Sequence, residues 1–139
     1  MDIEEFLRNL VQRKYHVIEN KLKKYELVKG QAELLLLIKD HDGITQNELA
    51  SLIGIKDSSM SVRLNKLEKL EYIAREIDEN NLKKKRVHIT SIGKSVCGQC
   101  RRIVREFEEM LYKGFTKKDR LQIEKYFEKM QKNIGIKKQ

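Results

Sequence analysis

Between Ile44 and Thr90 a helix-start signal, a glycine stop, a second helix pattern and two short alternating runs follow one another, and this order leaves few ways to fold. Thr45 stands three residues before Glu48, the spacing at which hydroxyl and carboxylate each satisfy a backbone amide that a helix start leaves unpaired. Leu49, Leu52 and Ile53 then supply an apolar face. Gly54 ends the helix, because glycine enters the left-handed conformation without a side-chain clash. A second helix starts at Lys56 or Asp57, with Met60, Leu64, Leu67 and Leu70 facing inward at steps of four and three. Its other side presents Ser58, Ser59, Ser61, Val62, Arg63 and Lys66, small or basic residues able to approach a phosphate or a base edge. Such a pair reads as a helix-turn-helix, whose second member can lie in the major groove of DNA.

A wing follows. Ile73 and Ile77 mark one strand, Val87 and Ile89 another, and the turn falls within Asp78 to Leu82, which includes Asn80 and Asn81. Between turn and second strand come Lys83, Lys84, Lys85 and Arg86. Consecutive cations repel one another unless an anion lies near, so behind a recognition-type helix a phosphate backbone is their natural partner. The bland alternative is a solvated loop.

A chain of 139 residues fits one domain, residues 1–139. A charged fraction of 37% with no proline or tryptophan points to a mainly α protein with wide solvated faces. The net charge of +9 and pI near 9.5 favour an acidic partner, nucleic acid ahead of a membrane. The acidic start at Asp2, Glu4 and Glu5 does not read as a signal peptide, and no apolar run approaches the roughly 18 residues of a membrane span. A cytoplasmic setting is the expectation. Two cysteines are too few for a disulfide scaffold, which agrees.

The flanks read as long helices. From Asp2 to about Tyr25, Phe6, Leu10, Val11, Tyr15, Ile18, Leu22 and Tyr25 form an apolar stripe. Val28 to Gly30 breaks it, and Gln31 to Asp40 carries the run Leu34 to Ile38, apolar all round and therefore central. Thr90 or Ser91 caps a helix from about Ile92 to Lys113, with Ile92, Val96, Cys100, Ile103, Phe107 and Leu111 on one face. Thr116 with Asp119 suggests a further cap before Leu121, Ile123, Phe127, Met130 and Ile134, and Lys137 and Lys138 are expected to fray. A terminal stripe of this length needs a partner. Residues 1–27 and 92–136 are expected to interlock between two copies in a symmetric dimer, leaving 30–90 as the winged helix-turn-helix.

From about Leu22 to Lys94 the chain resembles the multiple antibiotic resistance regulator (MarR) family of winged-helix transcription factors. The resemblance rests on Thr45 to Ala50 (TQNELA), Leu67 to Lys69 (LEK) and Val87 to Gly93 (VHITSIG) in that order, with flanking helices of matching length. It implies a dimer and, in many members, a small molecule bound between the dimer helices and the winged helix. This sequence departs from the family pattern at three places. Asn81 stands where an aspartate usually braces the wing by pairing with an arginine. Leu82 and Lys83 replace two basic residues, the second usually arginine. Glu71 replaces the usual glycine after the recognition helix.

The function so implied is sequence-specific binding of double-stranded DNA by a homodimeric transcriptional regulator. A repressor is the simplest form, because a dimer sitting on a promoter blocks polymerase. Two recognition helices roughly 34 Å apart would read a palindromic operator. Arg63 is the preferred base reader through a bidentate contact to guanine, against a phosphate contact or a salt bridge to Asp57 or Glu68. Ser59 and Ser61 could meet a base or phosphate, or only satisfy the helix start. Thr45 and Gln46 could meet a phosphate at their helix's amino end, and Lys83, Lys84 and Lys85 would fix position on the backbone.

Release by a small effector or by oxidation is open. Tyr15, Tyr25, Phe107 and Met110 could line a pocket or be plain core. Cys97-Gly-Gln-Cys100 could sense redox state, but it lies about two turns inside a helix, so structural thiols are the alternative. His16, His41 and His88 lack metal-ligand spacing, no cofactor motif is present, and no nucleophile or paired-carboxylate pattern supports an enzyme. The competing function is a winged-helix protein-protein interaction module whose basic wing meets an acidic partner.

Overall fold

The computed structural model describes residues 2–137; Lys138 lies outside the described residues. The elements are α1 (Ile3–Leu22), a 3-10 turn (Lys23–Tyr25), α2 (Lys29–Asp40), α3 (Gln46–Ile53), α4 (Asp57–Lys69), β1 (Ile73–Asp78), β2 (Asn81–Ile89), α5 (Ser91–Leu111) and α6 (Lys117–Asn133). The fold is mainly α with one antiparallel hairpin, a winged helix-turn-helix flanked by longer helices. Two compact units divide it, the first ending at Arg105 and the second beginning at Glu106.

In the first unit, α2 lies at the centre of the core. Its Leu34, Leu35 and Ile38 are buried among Leu49 of α3, Met60, Leu64 and Leu67 of α4, and Val87 of β2. Each such side chain taken from water contributes about 1.5–3 kcal/mol before entropy is charged. The helix begins earlier than its glycine suggests. The Gln31 side chain accepts from the Val28 amide at 3.1 Å, so Lys29 opens α2 and Gly30 sits harmlessly in its first turn. In α3 the inward residues are Leu49 and Ala50, while Leu52, expected inside, is 55% exposed. The α1 stripe is buried only at Ile18 and Leu22; Phe6, Val11 and Tyr15 face solvent.

The α4 stripe closes as its spacing dictates, and the chain leaves it through a left-handed residue. Glu71 has φ 63, the Glu71 amide bonds Glu68 O at 2.9 Å and the Tyr72 amide bonds Leu67 O at 3.0 Å. That is a helix stop that glycine normally makes, here built with a side chain in a strained conformation. Glu71→Gly should therefore raise stability by about 0.5–1 kcal/mol, read by chemical denaturation; a loss would show that the surroundings demand the carboxylate.

The hairpin is longer than its alternation implied. Ile73 pairs with Ile89, Arg75 with Val87 and Ile77 with Lys85, and then the register jumps so that Asp78 faces Asn81. Lys83 to Arg86 therefore belong to β2 instead of preceding it. Ile77, placed inward by alternation, is 58% exposed because the hairpin has by then run past the core. The other edge of β2 is covered: Gly43 and Ile44 exchange backbone bonds with Val87, each 2.9 Å, and the Ile89 amide donates to Asp42 Oδ1 at 2.8 Å. The second unit holds α6, opened by the expected Thr116 and Asp119 capping box.

Candidate nucleic-acid interface

The amino end of α4 and the wing enclose a groove lined by Asn47, Asp57, Ser58, Ser61, Val62, Lys83 and Lys85, with Gln46 contributing from below. Serine hydroxyls and an exposed valine occupy one wall and two ammonium groups the other. The hairpin supplies the lysines by its register. Val87 and Ile89 turn into the core, Lys85 follows on the same face beyond the core's edge, and residues 82–84 bulge from the ladder. Lys83 returns to the groove. Lys84 does not; its charge lies near Asp78 and helps hold that carboxyl low.

Beneath the groove lies an arginine that sequence reasoning missed. The Arg75 guanidinium, on β1, donates from Nε to Glu68 at 2.9 Å, from Nη1 to Gln46 Oε1 at 3.2 Å and Ser61 Oγ at 3.4 Å, and from Nη2 to Asn65. Its side chain is 12% exposed. One group thus ties the wing to both helices of the helix-turn-helix, using the five donors of a planar fork. Through its hydrogen bond it holds the Glu68 carboxyl below its ordinary value, partly opposed by burial. A signal was available. Period-two alternation puts Arg75 on the strand face of Ile73, where a cation requires partners.

Several expected site residues sit differently. Thr45 and Gln46 are 2% and 5% exposed. Thr45 is spent on the capping box with Glu48, while Gln46 donates to Asp57 at 3.3 Å and accepts from Arg75. Both are scaffold; of the exposed Asn47 and Glu48 that follow, Asn47 lines the groove. Ser61 is half-buried against Arg75, while Ser58, Ser59 and Lys66 are exposed. Arg63 is exposed and makes no ion pair among the described residues. Both carboxylates it might have met are engaged, Glu68 by Arg75 and Asp57 by Gln46.

The wing brace is also relocated. Arg86 leaves the cationic run to donate to Asp78 at 3.0 Å and to Gly43 O at 2.8 Å. The Asn80 amide, foremost, and Arg86 hold the buried Asp78 carboxyl below its usual range. His88 lies between Glu76, at 2.8 Å, and Asp42, at 3.5 Å.

Residues 27–85 match the sequence profile of the MarR family. Over 126 residues the chain is 30% identical to YybA, an uncharacterised HTH-type transcriptional regulator of Bacillus subtilis (strain 168), covering 90% of this chain and 84% of that one. The chain belongs to the MarR family. MepR, a transcription regulator of the Staphylococcus aureus multidrug efflux pump MepA, shares the fold with TM-score 0.83 at 21% identity, over 96% of this chain and 99% of that chain. A MarR transcriptional regulator from Methanosarcina mazei Go1 does so with TM-score 0.70 at 27% identity, over 93% and 96%. A MepR variant, matched with TM-score 0.75 at 21% identity over 96% and 99%, was solved bound to an oligodeoxyribonucleotide. In this MarR protein, then, Asp78 and Arg86 form the wing's ion pair although Asn81 carries no charge.

The regulatory candidates fare differently. Tyr15 is 57% exposed, and Tyr25 packs partly against the core while its carbonyl accepts from the Tyr72 hydroxyl at 2.9 Å. In the second unit Phe107 is buried and Met110 is 52% exposed. A distinct crevice forms in the first unit. It is lined by Ile18, Leu22, Ala32, Leu36, Cys100 and Val104, with Lys14, Lys29 and Glu33 as its charged members. Both thiols are buried, and burial pushes Cys97 up and Cys100 up to about 11. Thiolate is the oxidisable form, so a redox-sensing role for this pair is disfavoured and a packing role fits. No helix among the described residues is long and apolar enough to cross a membrane.

Proposed function

We propose that this regulator is a homodimeric, sequence-specific double-stranded DNA-binding repressor that occupies a palindromic operator. The groove carries the reading: Lys83 and Lys85 stand opposite the exposed end of α4, and Arg75 fixes helix and wing together. Cations of that kind neutralise phosphate and set position, while small side chains between them reach base edges. DNA bound to a MepR variant of the same fold supports the choice of partner over an acidic protein.

Support for a second copy comes from exposed apolar faces. Ile3, Phe6, Leu7 and Val11 are uncovered on α1, and so are Leu121, Phe127 and Met130 on α6. A symmetric pair would cover them and separate two α4 helices by about 34 Å, one turn of DNA. Release by a small effector is supported by the crevice at Ile18, Leu22 and Cys100; such a ligand must prefer one spacing of the α4 helices, since equal affinity shifts nothing.

Selection of a random duplex pool on the full-length protein tests this reading. The expected product is an inverted repeat with half-site centres about 10 base pairs apart. No enrichment, or one unrepeated motif, would contradict it. Within the enriched site, Arg63→Ala should reduce discrimination among single-base variants more than overall affinity, because its unpaired fork is offered to guanine; an equal loss on every sequence would remove it from base reading. Lys83→Ala with Lys85→Ala removes four ammonium groups from a dimer and should lower the slope of log affinity against log salt by about 4. An unchanged slope would place both lysines off the DNA.

A further inference from the structure

Val62 is 69% exposed, whereas Met60, Leu64 and Leu67 of the same helix are fully buried. At about 100° per residue it points roughly opposite that stripe, so it occupies the middle of the outward face. Its surroundings are polar. It forms one edge of the groove holding Lys83 and Lys85, and on its other side it borders a second hollow with Asn65, Lys66, Lys69 and Glu68, the last held by Arg75. A single exposed apolar side chain is ordinary by itself. This one is the apolar ridge between two polar hollows that each hold two lysines, and a β-branched residue there is not explained by helix propensity, which favours alanine or lysine. Branching at Cβ also leaves one dominant rotamer in a helix, so both methyl groups are held in a fixed direction.

Only one of the four bases offers an apolar group in the major groove, the 5-methyl of thymine. We infer that Val62 is a specificity-determining residue that packs against a thymine methyl, an inference that rests on the DNA-binding reading above. It assigns this role to a residue distinct from Arg63, through shape and burial instead of hydrogen bonding. At one half-site, removing either partner's methyl surface should have the same consequence, and removing both should cost little more than removing one.

The test uses the enriched duplex with each thymine replaced in turn by deoxyuridine, which lacks only that methyl, titrated with wild-type and Val62→Ala full-length protein. Wild type should bind about fourfold more weakly when one particular thymine of a half-site is replaced, the value of one buried carbon. Val62→Ala, which removes the contact from both half-sites, should bind the thymine duplex about sixteenfold more weakly and should not distinguish thymine from deoxyuridine at that position. Thermal unfolding would verify that the variant is folded, as a change at a surface position predicts. The inference is overturned if wild type is indifferent to deoxyuridine at every thymine, or if Val62→Ala keeps the full discrimination. Failure to enrich any duplex is a separate result, and it would remove the DNA-binding reading together with this one.

Discussion

Replacing Gly93 by alanine should cost about 3 kcal/mol or more of stability. A Cβ at this position would lie 2.0 Å from Tyr72 O and 2.7 Å from Ile89 Cδ1. The first obstacle is backbone and cannot swing aside. It is also held in place, because Tyr72 O accepts the Thr90 amide at 3.1 Å. Thr90 then links both sides, its hydroxyl donating to Glu71 O at 2.7 Å and accepting the Gly93 amide at 3.0 Å. The Thr-x-x-Gly step is thus the joint at which α5 leaves the end of the recognition helix and the first wing strand. Denaturant unfolding would measure the cost, and a loss below about 1 kcal/mol would mean that the joint yields more easily than its contacts imply.

Arg75→Met should weaken operator binding and lower stability by about 2 kcal/mol, the usual cost of stranding buried partners of a charged hydrogen-bond donor. Gln46 Oε1, nearly inaccessible, loses its donor, while the more exposed Glu68 recovers part of its solvation from water. Arg75→Lys should rescue little, since an ammonium cannot span Gln46, Ser61 and Glu68 from one planar group. A pH signature separates this role from simple packing. The Arg75 bond depresses the Glu68 carboxyl from 4.5, so the stability that this pairing adds is fully present above that value and disappears as pH falls through the lower folded one. Arg75→Met should flatten that part of the acid limb of a stability-against-pH curve, and Arg75→Lys, which keeps the charge, should flatten it less. An Arg75→Met protein with wild-type affinity, stability and acid limb would show that helix and wing hold their places without it.

What the amino-acid order revealed was mostly local. The Thr45 and Thr116 capping boxes, the Gly54 stop and the α4 stripe each depend on residues within a few positions, so spacing alone exposes them. Contacts between distant segments were hidden. Gln46 looked like a helix-end phosphate ligand until Arg75, 29 residues away, claimed its carbonyl oxygen. Arg86 looked like one of four free cations, yet it reaches Gly43 O across 43 residues. The exposed Leu52 and Ile77 failed the pattern for a related reason: periodicity tells which residues share a face but not how far the core extends beneath it. The wing's two groove lysines needed the register jump at Ile77 and Asp78, which composition does not show.

The central claim is that α4 and the wing read a specific duplex, and a fluorescence anisotropy titration at physiological salt tests it most directly. The full-length protein would be titrated into the enriched duplex and into a scrambled duplex of identical composition. The expected result is at least a roughly thousandfold tighter hold on the enriched site, with two chains per duplex. Equal affinity for both sequences would contradict it.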